Sequence, residues 1–192
     1  DISVRSGMAT TITLDPEPIP LDLKVVLVGS AGLYYYLLDA DEDFGTLFKV
    51  KADFATDMPR TPENEQQYAL FIAARCAEEK LRPFDCGAVA RVIEFGSRAA
   101  DDQFKLTVCF GAVTDLLREA DYWAGEAGRD TATAGDVRAA LREKVYRTNE
   151  TEEILRRRIL EGTIFVDTQG TAVGQINALS VSSSGDYTYG MP

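Results

Sequence analysis

Thr61-Pro62-Glu63-Asn64-Glu65-Gln66-Gln67-Tyr68-Ala69-Leu70-Phe71-Ile72-Ala73-Ala74-Arg75-Cys76-Ala77-Glu78-Glu79-Lys80 spells a helix from its cap to its last turn. Thr61 can cap the first amides, and Pro62 suits the first helical position because its missing N–H would have no partner there. Tyr68, Phe71, Ile72 and Cys76 recur at helical spacing, so the helix is predicted from about Pro62 to Lys80 with that face buried. The same grammar repeats downstream. Asp85 caps a second helix with Val89, Ala90 and Ile93 as its stripe. A third begins near Phe110 and carries Val113, Leu116, Leu117, Ala120, Trp123 and Ala124. Thr133-Ala134-Gly135-Asp136 reads as a capping box, with Asp for the usual Glu, before a fourth helix with Val137, Leu141 and Val145 four apart. Four helices between residues 62 and 150 predict a compact all-α unit.

The flanks read differently, and together they predict an α/β chain of mostly α content. Residues 1–18 form a strand-like lead-in, alternating from Thr10 to Leu14 and broken by Asp15-Pro16-Glu17-Pro18. Leu23 to Val28 is a short β-branched run suited to a strand buried on both faces of a parallel sheet. Leu33 to Leu38 starts a helix that runs into Asp39, Asp41, Glu42 and Asp43; Tyr34, Tyr35 and Tyr36 face different ways on it, so at least one is expected in the core and one exposed, with core packing preferred to a substrate-gripping surface. Lys49 to Phe54 alternates like another short strand. Beyond the helical unit, residues 149–161 are strongly charged, and Glu152–Arg156 and Glu153–Arg157 predict an exposed helical linker. Gly162 ends it. Thr163 to Asp167 then reads as a strand, Thr168-Gln169-Gly170 as a turn, Thr171 to Val181 as a longer strand, and Ser182–Ser184 as a short loop. An isolated hairpin is marginal in water, so this one needs further strands or a helix. With a first residue other than methionine, the expectation is an excised middle of a longer protein.

Composition narrows the chemistry. The 192 residues are 45% hydrophobic and 27% charged, enough to bury a core in one domain or two small ones. The formal net charge of −11 argues against nucleic acid as a partner, and no apolar run reaches bilayer length. Cys76, Cys86 and Cys109 show no C-x-x-C spacing, which fits reduced thiols and a cytoplasmic location. The chain contains no histidine, which removes zinc-peptidase motifs, Ser-His-Asp triads and Cys-His dyads together. There is no G-x-x-x-x-G-K-[ST] loop to cradle phosphates and no hhhhDE strand.

Gly162 to Thr168, Val173 to Val181 and Gly185-Asp186-Tyr187 are similar to the start of the peptidase domain of Lon-like ATP-dependent proteases. Ile19 to Gly29 resembles a late strand of the AAA+ core in the bacterial Lon-like subgroup. Tyr34-Tyr35, Leu47 to Phe54, Ala88 to Arg91 and Gly96-Ser97-Arg98 fit the pattern between them. The resemblance covers nearly the whole chain in order. It implies the end of an AAA+ core over residues 1–60, a helical lid over 61–148, a charged linker over 149–162 and the first peptidase strands over 163–192. It also implies ATP and Mg2+ as cofactors of the parent protein, a homo-oligomeric ring, protein substrates and no membrane. Walker motifs would lie upstream and a Ser–Lys dyad downstream, so no catalytic residue is assigned within the chain.

Three roles in nucleotide contact have candidates under that resemblance, with Ser30, Arg60 and Arg98 foremost. Ser30 follows the Leu23–Val28 run where relatives keep a polar residue that places the attacking water; a small polar loop residue is the competing reading. A ring ATPase needs a cation for charge developing on the transferred phosphate, and Asp43 to Phe48 holds no arginine. Lys49, Lys51 or Arg60 are the substitutes, each also readable as a surface cation. Relatives often carry a lid arginine where this chain has Cys109, and Arg98 is the other candidate for that role. The competing reading of Arg98 is an ion pair with Asp101 or Asp102. The parent function implied is ATP-driven unfolding and serine-protease cleavage of proteins, with this chain inactive by itself. The alternatives are a non-catalytic Lon-like interaction module and an unrelated small-ligand domain.

Overall fold

The computed structural model describes residues 22–174, 176–183 and 188–191, in two compact units divided between Asp53 and Phe54. The strand-like lead-in of residues 1–18 lies outside the described residues.

The first unit contains two helices, α1 (Ala31–Ala40) and the single turn α2 (Phe44–Leu47). Leu23–Val28 forms no strand: it makes no ladder with any described residue, and Val26 and Val28 are 82% and 95% exposed. A strand exists only through its neighbour's hydrogen bonds, so apolar β-branched content alone cannot make one. Residues 49–54 fail as a strand for the same reason. The tyrosines of α1 divide between the packed and the exposed face as consecutive positions require, though none is fully buried. Tyr34 is half-buried and meets Phe44 edge-on with ring centroids 5.7 Å apart, while Tyr35 and Tyr36 are exposed.

The second unit opens with β1 (Asp57–Pro59) and continues through α3 (Pro62–Glu79), α4 (Cys86–Ala99), β2 (Lys105–Thr107), α5 (Phe110–Glu126) and α6 (Ala134–Thr148). The helices begin where the caps predict. The Thr61 hydroxyl accepts the Asn64 amide at 3.3 Å, and Asp85 Oδ1 accepts that of Ala88 at 2.7 Å. Thr133 donates its amide to Asp136 Oδ2 at 2.9 Å and its hydroxyl at 2.8 Å, closing the return half of the capping box. Tyr68, Ile72 and Cys76 of α3, Val92 and Ile93 of α4, and Val113, Leu116, Leu117 and Ala120 of α5 form one core with Val137 and Ala140 of α6. Burying a side chain such as Ile72 or Leu117 is worth about 1.5–3 kcal/mol. The α6 stripe fades along its length: Val137 is buried, Leu141 partly so, and Val145 is 37% exposed.

The antiparallel β1–β2 ribbon was not foreseen. Met58 pairs with Leu106, and Leu106 is wholly buried in the helical core. The Arg60 amide extends the ribbon by donating to the Phe104 carbonyl at 2.7 Å. The ribbon thus ties the entry of α3 to the exit of α4.

Helix α7 (Glu150–Leu160) follows as the expected charged helix, with Glu153 meeting Arg156 at 3.7 Å. Its end is a Schellman motif: Thr163 N–H reaches Arg158 O at 2.8 Å, Gly162 N–H reaches Ile159 O at 3.0 Å, and Gly162 takes φ 74°. Residues 163–167 form no strand, and of the predicted strand over 171–181 only Ser180 and Val181 are strand among the described residues. Hairpin pairing falls later, between β3 (Ser180–Ser183) and β4 (Thr188–Met191), with Val181 opposite Gly190. Ser182 and Ser183 are therefore strand residues rather than loop. Phe165, Val173 and Ile176 are at least 84% exposed, so alternation before residue 180 found no partner to bury it.

Candidate functional site

Ser30 stands at the N-cap of α1, where its hydroxyl accepts the Leu33 amide at 3.2 Å. The hydroxyl thus performs the local capping job that its residue type favours. Lys51, in the same unit, is a held cation. Its ammonium donates to the Tyr35 hydroxyl at 3.0 Å, pairs with Asp53 at 3.0 Å and lies 4.5 Å and 4.8 Å from the centroids of Tyr35 and Tyr34. The Tyr35 hydrogen bond, then Asp53, raise its pKa above the ordinary lysine value.

In the other unit Arg60 reaches the end of α4, and Arg98 lies on its last turn. Arg60 Nε pairs with Glu65 at 2.6 Å, and one Nη reaches Ser97 Oγ at 3.4 Å. Ser97 in turn donates to the Lys105 carbonyl at 2.7 Å. Arg60 is therefore an exposed cation tethered to α3 through Glu65 and to α4 through Ser97. Arg98, one residue beyond Ser97, has a side chain 77% exposed. Its ion-pair partner is Glu94, one turn back at 2.9 Å, rather than Asp101 or Asp102. Those aspartates are spent on the turn: Asp101 takes φ 52°, and Asp102 Oδ1 accepts the Phe104 amide at 2.8 Å. Glu94 also pairs with Arg91, and the two guanidiniums, Arg98 first, hold its carboxyl below the usual range.

Cys109 is exposed at the N-cap position of α5, its amide donating to Thr107 Oγ1 at 3.1 Å. Beside it, Tyr68 is 1% exposed and gives its hydroxyl to the Thr107 carbonyl at 3.2 Å. Burial, with the Cys109 sulfur a lesser cause, pushes the Tyr68 pKa up to about 12, so it stays a neutral donor. The shallow groove at the start of α5 contains Arg75 and Arg118, but Arg75 pairs with Glu78 and Arg118 with both Glu79 and Asp115. That site is charge-balanced.

For a nucleotide, the described residues offer Arg98 as an exposed cation whose carboxylate partner is shared with a second arginine. Among the described residues no three His, Cys, Asp or Glu side chains converge as a metal cluster would require. Sequence reading missed Arg91 as the second claimant on Glu94; its spacing to Arg98, seven residues along one helix, was the available signal.

The second unit is thus a helical unit braced by a two-stranded ribbon, preceded on the chain by a capped helix of a separate unit. Residues 1–55 match the family described as LonB-like, AAA domain, and residues 83–147 match the lid domain of the archaeal LonB AAA+ ATPase. Over those two stretches, and in that order, the chain is similar to Lon-like AAA+ ATPases. No curated protein matches it.

Proposed function

We propose that this chain is the core-to-lid portion of an ATP-dependent serine protease, whose ATP-driven homo-oligomeric ring pulls in protein substrates for a Ser–Lys dyad carried elsewhere in the parent polypeptide. The observation that supports it is the order of the two family matches, AAA domain then lid, on one chain. In this reading bound ATP with Mg2+ supplies the free energy of unfolding. Arg98 is the lid cation that holds a phosphate oxygen, because it can leave Glu94 with Arg91 still neutralising that carboxylate. Arg60 supports the same helix end through Ser97, and Ser30 lies at the position that orients the attacking water. Without a Walker A lysine in the sequence, tight binding by these 192 residues alone is not expected.

Reading the encoding gene in both directions and assaying its whole product for ATP-stimulated casein cleavage tests this. Walker motifs upstream, a serine and lysine downstream, and cleavage lost in Arg98→Ala support it. A gene without these motifs, or casein cleavage indifferent to ATP, overturns it. A second reading, a non-catalytic interaction module of the same architecture, is favoured by Cys109 standing where relatives often carry arginine.

A further inference from the structure

The facing sides of α4 and α6 form an open groove of about 360 Å³. Arg91, Arg98, Arg138 and Lys144 are the cations along it, and Glu94 is its carboxylate. Its apolar floor is Phe95, Leu141 and Val145. The lining therefore sets Arg91, Arg98 and Arg138 against Glu94, a net positive face on a chain whose net charge is −11. Such a concentration against the overall sign attracts an anionic partner, while the uncovered floor asks for apolar side chains. Arg91, Glu94, Phe95 and Arg98 follow i, i+3, i+4, i+7 spacing on α4, and Arg138, Leu141 and Val145 follow i, i+3, i+7 on α6. Each side thus presents one continuous helical face, about 10 Å long at 1.5 Å per residue.

We propose that this groove docks an acidic amphipathic segment of a partner protein, two or three helical turns long, with leucine-type side chains on the floor and carboxylates toward the arginines. A nucleotide would satisfy the cations and leave the floor uncovered. The excess of acidic residues over the whole chain opposes nucleic acid.

The experiment is fluorescence anisotropy of the full chain with a short fluorescein-labelled peptide of glutamate, aspartate and leucine at helical spacing. Saturable binding at low salt is expected, weakening as salt is added. Arg138→Glu should weaken it about tenfold and Arg138→Lys about twofold or less, since a rim charge reversal acts chiefly on electrostatic complementarity. Val145→Asp should weaken it comparably through the floor, and unchanged thermal melts would show that both variants fold. The proposal is overturned by absence of saturable binding, by indifference to both variants, by equal binding of a peptide with serine for leucine, or by displacement with a single-stranded oligonucleotide. Arg138 and Val145 lie outside the residues proposed for nucleotide contact, so this result stands or falls separately from the protease reading.

Discussion

Asp136 shows how much one side chain can carry. It is 1% exposed, and burial alone would raise its pKa. The Arg129 guanidinium, with the amide and hydroxyl of Thr133, outweighs that and holds the carboxyl below its usual range. A folded-state pKa below the unfolded value gives stability that is fully present above about pH 4 and lost as pH falls through the folded value. Urea midpoints should therefore drop between neutral pH and about pH 3, and the drop should shrink in Asp136→Asn. That variant should already cost about 2 kcal/mol at neutral pH, since it weakens a cap and strips Arg129 of its charge partner. Gly96 gives a steric counterpart. A Cβ there would sit 2.8 Å from the hydroxyl of buried Tyr68, which is itself pinned to the Thr107 carbonyl. Gly96→Ala should cost about 1–3 kcal/mol despite the better helix propensity of alanine, visible as a lower melting midpoint.

At the scale of elements, the helix ends are where sequence and geometry part company. Helix α7 stops on Gly162, whose positive φ costs nothing, but α3 stops on Lys80 with φ 58°. Both the Lys80 and Leu81 amides converge on the Cys76 carbonyl, so the left-handed turn is enforced by hydrogen bonding in spite of its side chain. Lys80 is exposed and Lys80→Gly should raise stability by about 0.5–1 kcal/mol, read as a higher urea midpoint with unchanged slope. The cap residues Thr61, Asp85 and Thr133 were legible because each acts on amides within three residues of itself. The β1–β2 ribbon was not, because Asp57-Met58-Pro59 is too short to show alternation and its partner lies some forty-eight residues away at Lys105–Thr107.

At the scale of the molecule, packing is concentrated in the helical unit of α3 to α6. Its core residues interlock across α3, α4, α5 and α6, whereas residues 163–174 carry no regular element and leave Phe165 84% exposed. Limited chymotrypsin digestion should cleave at Phe165 early and leave residues 57–148 intact, with mass spectrometry of the products as the measurement. Cleavage within α3 to α6 at comparable rates would contradict the packing described. The nucleotide candidates divide along the same lines. Arg98 was readable as an exposed cation after a Gly-Ser pair, but its real partner was decided by a turn that consumed Asp101 and Asp102. The groove between α4 and α6 was invisible in one dimension because its two faces come from helices separated by α5 and by β2.

Helix positions, their caps, the acidic balance and the lack of histidine or a phosphate loop follow from residues that act within one or two turns of themselves, and linear order suffices to read them. Strand pairing, the partner chosen by each arginine and the burial of each tyrosine depend on which distant segment arrives beside them. Apolar runs such as Leu23–Val28 and Thr171–Leu179 show the difference: they have strand composition, but a strand is defined by a neighbour's hydrogen bonds, and only folding in three dimensions supplies or withholds that neighbour.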